Sequence, residues 1–130
     1  MHPDVELCRC VQALAQPASV QVSLFPDFAV VGDELALQFD DALRAIRALG
    51  SPLSDNQIKS LDELDRYLSE LSGPQNDDFW VDRALLGTDP RWHRVRELAR
   101  IVLSAFAWPN DVPGKDGAVY VSAGSTIRNL

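Results

Sequence analysis

The densest group of side chains suited to chemistry is a cluster of carboxylates beside two aromatic residues. Asp77, Asp78 and Asp82 surround the pair Phe79 and Trp80. Paired carboxylates serve acid–base catalysis in glycosidases, and they bind hard divalent cations. The same residues are typical of an acidic first helical turn, where carboxylates complement the helix dipole. We interpret the cluster mainly as helix capping, then as partner recognition, and last as catalysis or metal binding.

Two further pairs have spacings that deserve comparison with metal sites. His93 and Glu97 lie one helical turn apart, but arginines such as Arg96 flank them and disfavour a divalent cation. We expect a surface His–Glu pair there. Cys8 and Cys10 point about 200° apart on a helix, too far to share a metal or a disulfide. We expect Cys8 in the apolar core and Cys10 at its flank, and we predict no metal and no cofactor.

The chain lacks the linear motifs of common enzyme classes. It contains no glycine-rich phosphate loop, no HExxH, no CxxC pair and no GxSxG. The stretch 114–117 contains Gly-Lys without the spacing of a phosphate loop, and we predict a surface turn there. We therefore predict a protein that is not an enzyme and has no catalytic residues.

The net charge of −7 is distributed unevenly along the 130 residues. Residues 27–82 contain 13 acids and 4 bases, whereas residues 83–100 contain five arginines and two acids. An acidic face either keeps a protein soluble or attracts a basic partner, because charge of one sign raises association rates. Arginines outnumber lysines ten to two, which favours planar ion pairs within the fold. The acidity argues against nucleic acid as a partner.

The sequence also favours a location away from membranes. Its longest strongly apolar run spans 101–108, whereas a membrane-spanning helix needs about 20 apolar residues. The first residues carry acids and lack the basic start of a signal peptide. We expect a soluble cytoplasmic protein with no membrane partner.

Hydrophobic periodicity predicts a mainly α fold with about five helices. Ser54 and Gln57 have the spacing of a capping box, and Gly50 suits the position just after a helix. Asp40 precedes Arg44 by four residues, which favours an ion pair along one helix. The predicted helices span 3–15, 33–49, 54–72, 76–86 and 90–107.

Short segments favour a minor β element beside these helices. Residues 19–24 alternate apolar and polar side chains, and 118–121 form a second candidate strand. Residues 28–31 are either a third short strand or an extended lead-in to a helix. We predict a two- or three-stranded antiparallel element within a single globular domain over 1–121. A polar tail follows over 122–130.

In its size, acidity and lack of a catalytic motif, the chain resembles bacterial immunity proteins that block toxin enzymes. The resemblance is one of composition, so it assigns no site residues. It implies occlusion of a basic protein partner by carboxylates, with an aromatic anchor at the centre of the contact. The candidate contact residues are Asp40, Asp41, Asp62, Glu63, Asp77, Asp78, Trp80 and Asp82.

Two other function classes stay open at this stage. A secretion chaperone or adaptor is also small and acidic, and it would be dimeric with an exposed apolar groove. An enzyme without a linear motif would need a deep pocket. The candidate lining residues of such a pocket are Asp77, Asp82, His93 and Tyr120.

Overall fold

The computed structural model of the protein describes residues 3–114, and these residues are mainly helical. The expectation of a mainly helical fold is therefore confirmed. Seven α-helices and one 3-10 turn lie in this part of the chain. They are α1 (Pro3–Ala15), α2 (Ala18–Ser23), α3 (Val31–Leu49), α4 (Asp55–Glu70), the 3-10 turn (Pro74–Asn76), α5 (Asp77–Val81), α6 (Leu85–Thr88) and α7 (Pro90–Ala105).

The four long helices pack in the spatial order α3, α1, α7, α4. Helix α1 packs against both α3 and α7, and α7 also contacts α4 and α6. The short helix α5 packs against α3. Helix α7 is central to the core, since its Trp92, Val95 and Ala99 have no exposed surface. None of the helices within residues 3–114 is both long enough and apolar enough to span a membrane.

Local signals predicted the C-terminus of α3 and the N-terminus of α4 correctly. Gly50 adopts the left-handed conformation (φ 64°) that ends α3. Ser54 and Gln57 form the expected capping box, in which each side chain bonds the other residue's backbone N–H. Leu49, the last residue of α3, is 62% exposed.

The predicted β element is wrong, since no strand occurs within residues 3–114 and residues 18–23 form α2. The strand interpretation placed Val20 and Val22 inside and Gln21 outside. In the structure Gln21 is fully buried, and its amide N–H groups donate to the carbonyls of Ala13 and Leu14, each at 3.1 Å. These bonds satisfy carbonyls in the last turn of α1, which lack helical partners. The candidate strand 118–121 and the tail 122–130 lie outside the described residues.

The single helix predicted over 76–86 is instead two short helices with a break between them. Asp82 is extended (φ −87°, ψ 104°), and its carboxylate accepts a bond from the Ala84 N–H at 3.0 Å. Helix α6 then begins at Leu85. Asn76 does not cap α5 with its side chain, and its amide oxygen accepts from Arg91 instead, at 3.1 Å.

The two cysteines have the reverse of their expected placement. Cys10 is buried and its Sγ lies 3.4 Å from the Gln38 carbonyl oxygen of α3, whereas Cys8 is half-buried. The physical reason is that α1 packs on two sides, so its buried arc extends beyond the stripe around Leu7. Burial raises the pKa of the Cys10 thiol to about 12. This thiol is therefore protonated at neutral pH and is not a nucleophile.

Helix α7 begins as expected, with Asp89 as its N-cap and Pro90 in the first turn. The Asp89 carboxylate accepts from the Arg91 N–H at 2.8 Å and pairs with the Arg91 guanidinium at 2.6 Å. The bond from the Arg91 side chain is the main reason that the pKa of Asp89 lies below its usual value. The expected internal Arg–Asp contact on the last helix is thus present.

Replacing Asp89→Asn is expected to lower the free energy of unfolding at pH 7 by about 1 kcal/mol, since asparagine still caps the helix but loses the charge-assisted bonds. A carboxyl whose pKa falls on folding stabilises the fold above its unfolded pKa of about 3.9. That stabilisation disappears as the pH falls through the folded pKa. The difference between wild type and variant in urea unfolding should therefore be largest at pH 7 and should shrink steadily as the pH falls below about 3.9. A difference independent of pH contradicts this assignment, and the exposed Asp77→Asn variant controls for the lost charge.

Candidate functional site

An open groove of about 380 Å³ lies between α3 and α4. These helices are consecutive in the chain but are not among the packed helix pairs, because α3 rests on α1 and α4 rests on α7. The groove is therefore a gap that the order of the helices leaves between them. Its lining residues are Asp33, Ala36, Leu37, Phe39, Asp40, Asp65, Leu68, Ser69, Ser72 and Trp80.

The interior of the groove is apolar. Phe39 and Leu68 are buried side chains of the core that reach its surface, and Leu37 is 55% exposed at its wall. In a helical projection of α3, Leu37 lies away from the buried side chains such as Leu35 and Phe39, in agreement with its exposure. One exposed leucine is ordinary, but here it shares a concave surface with two other apolar side chains.

One end of the groove is bounded by an aromatic side chain held in a defined position. The Trp80 indole N–H donates to the Leu71 carbonyl at 2.9 Å. Its ring packs edge-on against Phe79, with 4.7 Å between ring centroids, and Phe79 stacks on the buried Trp92 at 4.2 Å. Trp80 is only partly buried, so part of its ring stays accessible in the groove.

Ion pairs bound the other end of the groove. Arg47 of α3 reaches across to α4, where it pairs with Asp62 at 2.9 Å and with Asp65 at 3.4 Å. Arg44 pairs with Asp40 of its own helix at 3.0 Å, as the spacing predicted. These pairs are well exposed, so each contributes little to stability. Their effect is to fix the directions of carboxylates along the rim.

Of the predicted contact residues, the structure brings Asp40 and Trp80 together in one groove. Asp62 lies next to it, in the pair with Arg47. Asp41 is exposed on α3 and Glu63 is half-buried on α4, and neither lines the groove.

The three aspartates around α5 lie apart from the groove lining. Asp78 pairs with Arg91 at 3.3 Å, and its carboxylate accepts from the Phe79 N–H at 2.8 Å. The Asp82 carboxylate accepts from the Ala84 N–H in the break before α6, and Asp77 is exposed. Neither α5 nor α6 has a side-chain cap, so the capping interpretation of this cluster is not met, although Asp77 and Asp78 do lie in the acidic first turn of α5.

Sequence reasoning missed several lining residues. Helix α3 begins two residues before its predicted start at 33, which leaves Asp33 on the groove wall. Asp65 was counted only as part of the acidic stretch, and Ser69 and Ser72 were not considered. A helical projection of 33, 36, 37 and 40 places them on one side of α3, which was the available signal.

The remaining candidates do not assemble a reactive centre within residues 3–114. Glu97 pairs with Arg94 at 2.6 Å, so the expected His–Glu surface pair is not made. His93 is exposed, and its Nε2 lies 3.4 Å from the Gly87 carbonyl oxygen. No group of three or more potential metal ligands occurs in this part of the chain. A second cavity of about 70 Å³ includes Asp82 and Arg83 in its lining.

Comparisons with models of protein families, with curated proteins and with solved structures found no match to this chain.

Proposed function

We propose that this chain is a small acidic cytoplasmic protein that binds a basic protein partner and occludes it, in the manner of an inhibitor or immunity protein. The observation that carries the proposal is the groove between α3 and α4, which combines apolar walls with carboxylates at its rim. In a contact with such a surface, the apolar walls would form a centre that excludes water, and the carboxylates would surround it. The proposed action is occlusion and not catalysis.

The charge layout supports a basic partner. Several arginines that offset the acidic stretch are engaged within the fold: Arg83 donates to the carbonyls of Asp27 and Ala29, and Arg91 pairs with Asp78. Arg96 is buried. Because these cations are tied to their own chain, the middle helices present a net negative surface to other proteins.

The proposed contact has a centre and a periphery. Leu37 and the accessible part of Trp80 are the apolar anchors, and Asp33, Asp40 and Asp65 are the nearest carboxylates. We propose that the other predicted acids act over a longer range, by raising the association rate. Those acids are Asp41, Asp62, Glu63, Asp77, Asp78 and Asp82.

The first test is capture from a lysate of the source organism with the full chain as bait, at about 50 mM and about 500 mM salt, where screening differs strongly. We expect a protein of basic composition that is retained only at low salt. With that partner purified, the triple variant Asp33→Asn/Asp40→Asn/Asp65→Asn should lower the association rate constant about tenfold, because steering contributes tenfold or more. The rate is measured by surface plasmon resonance.

A matched control changes the same charge on the same two helices outside the groove: Glu34→Gln/Asp55→Asn/Glu70→Gln. We expect it to lower the rate by less than about threefold, because salt screening weakens the effect of a charge as its distance from the contact grows. Equal effects of the two triple variants, or capture that ignores salt, would show that this groove is not the contact surface.

The apolar walls of the groove also favour the adaptor or secretion-chaperone hypothesis, which predicts a dimer. Light scattering of the purified chain separates the two functions. A monomer that binds a folded basic protein supports the inhibitor, whereas a dimer that binds only unfolded client segments supports the chaperone.

A further inference from the structure

The space between α3 and α4 limits the shape of the segment that it can accept. Asp33 and Asp40, seven residues apart on α3, are about 10 Å apart along the helix axis at 1.5 Å per residue. Asp65 of α4 and Ser72, two residues after the end of α4, line the opposite wall. Trp80 bounds one end, and the pairs of Arg47 bound the other. The groove is thus about two helical turns long.

The walls offer an extended backbone no edge with which it could pair along its length. Most of each wall is helix, whose backbone groups bond within the helix, and no strand occurs in residues 3–114 that could pair with an extended segment. The lining aspartates and serines can each make individual hydrogen bonds, but they alternate with apolar side chains and do not form a continuous row of partners. A segment that enters must therefore satisfy its own N–H and C=O groups, which an α-helix does and an extended chain does not.

The side chains of the lining specify the rest of the occupant. Leu37, Leu68 and Trp80 form the apolar surface, which suits apolar side chains spaced three and four residues apart on one face of a helix. Carboxylates lie on both walls, with Asp33 and Asp40 on α3 and Asp65 on α4. Asp40 and Asp65 are already paired with the exposed Arg44 and Arg47. Cations on both flanks of that apolar face would therefore meet Asp33 and would compete with these arginines for the other two carboxylates.

We infer that the groove between α3 and α4 binds a basic amphipathic helix, with its apolar face against Leu37, Leu68 and Trp80 and its lysines or arginines toward Asp33, Asp40 and Asp65. The inference rests on the proposed function, because it names the part of the basic partner that enters the groove. The helix lies along α3 and α4 as an additional member of the helical assembly.

The test uses three synthetic peptides of 18 residues built from alanine, leucine and lysine, with a fluorescent label and the full protein. The first has leucines spaced three and four apart with lysines on both flanks. The second has the same composition with leucines spread around the helix, and the third has a proline at its centre. In anisotropy titrations we expect the first peptide to bind at least tenfold more tightly than the others and to gain helical circular dichroism on binding.

Two exposed leucines of α3 provide a matched pair of variants. Leu37→Gln removes an apolar side chain from the groove, whereas Leu49→Gln removes one that is 62% exposed and outside it. Because both side chains are exposed, both variants are expected to fold. We expect Leu37→Gln to weaken the first peptide about tenfold and Leu49→Gln to leave its affinity unchanged within twofold.

The outcomes separate this inference from the proposed function. Equal binding of the three peptides, tighter binding of the proline peptide, or no binding of the first peptide overturns the helical occupant. The inhibitor proposal stands in those cases if the captured partner still responds to the triple variant in the groove. Loss of peptide binding in Leu37→Gln together with failure to capture any basic protein supports the helix site and overturns the proposed partner.

Discussion

Replacing Arg96→Met is expected to lower the free energy of unfolding by about 2–4 kcal/mol, because three buried oxygen atoms lose their donor. Arg96 is 6% exposed, and its guanidinium donates to the carbonyl of Gln16 at 2.8 Å, to the side-chain oxygen of Gln21 at 2.9 Å and to the carbonyl of Leu86. None of the ion pairs within residues 3–114 includes it. Burial, with a smaller contribution from Arg100, lowers the pKa of this guanidinium.

The cation lies where a helix end favours it. Gln16 immediately follows α1, where unsatisfied carbonyls carry partial negative charge. The side chains of Arg96 and Gln21 donate hydrogen bonds to the carbonyls at this end of the helix. Arg96 also donates to the carbonyl of Leu86 in α6. Loss of the side chain therefore loosens the contacts among four helices, α1, α2, α6 and α7.

Urea unfolding followed by tryptophan fluorescence measures the effect. Arg100→Met is the control, since Arg100 is exposed one turn further along α7 and should change stability by less than about 0.5 kcal/mol. Arg96→Lys should fall between the two variants, because an ammonium cannot reproduce the planar fork of donors. Similar stabilities for Arg96→Met and Arg100→Met would falsify the role given to this network.

Adding one methyl group at Gly32 is expected to lower the free energy of unfolding by about 2 kcal/mol, although alanine is the better helix former. A Cβ atom there would lie 2.8 Å from the Trp80 carbonyl oxygen and 2.9 Å from Cζ2 of Trp92. The first neighbour is backbone and the second belongs to a fully buried ring, so neither moves away easily. Gly32→Ala therefore forces α3 and α5 apart.

Gly87→Ala is the matched control in α6. Its new Cβ would meet only the Cβ of Ala18, at the ordinary contact distance of 3.5 Å. We expect this variant to be neutral, or more stable by up to about 1 kcal/mol, because alanine restricts the unfolded chain. Near-ultraviolet circular dichroism should change for Gly32→Ala alone, since that substitution disturbs the tryptophans. Equal stabilities would contradict the close approach of the two helices.

The parts of the fold that were predicted correctly depend on residues close in sequence. Ser54 and Gln57 are three residues apart, Asp40 and Arg44 four, and Gly50 directly follows the helix that it ends. Each of these signals acts within about one helical turn, so a single sequence contains it.

The errors arose where distant residues decide the local conformation. Residues 19–24 have a strand-like alternation, but Gln21 bonds the end of α1 and Arg96, 75 residues away. The arginines were expected to pair with carboxylates, and Arg96 bonds carbonyls and an amide instead. Tertiary contacts of this kind override local pattern.

The candidate site was predicted only in part for a similar reason. Asp40 was among the predicted contacts because it belongs to the acidic stretch, and Trp80 because it is aromatic. Asp33 and Asp65 were not among the predicted contacts. They line the same groove only because α3 packs on α1 and α4 packs on α7, which leaves a gap between α3 and α4. Charge counted along the chain does not reveal which carboxylates face one another across two helices.

The position of α1 between α3 and α7 has a consequence for how the chain folds during synthesis. The contact between α1 and α7 joins residues 80 positions apart, as in the bond from Arg96 to Gln16. The apolar face of α1 can pack on α3 early, but its second side stays uncovered until α7 has left the ribosome. The core therefore closes late, through contacts between residues far apart in the sequence. A nascent chain stalled on the ribosome before residue 90 lacks α7, so its exposed apolar surface on α1 should still bind a chaperone.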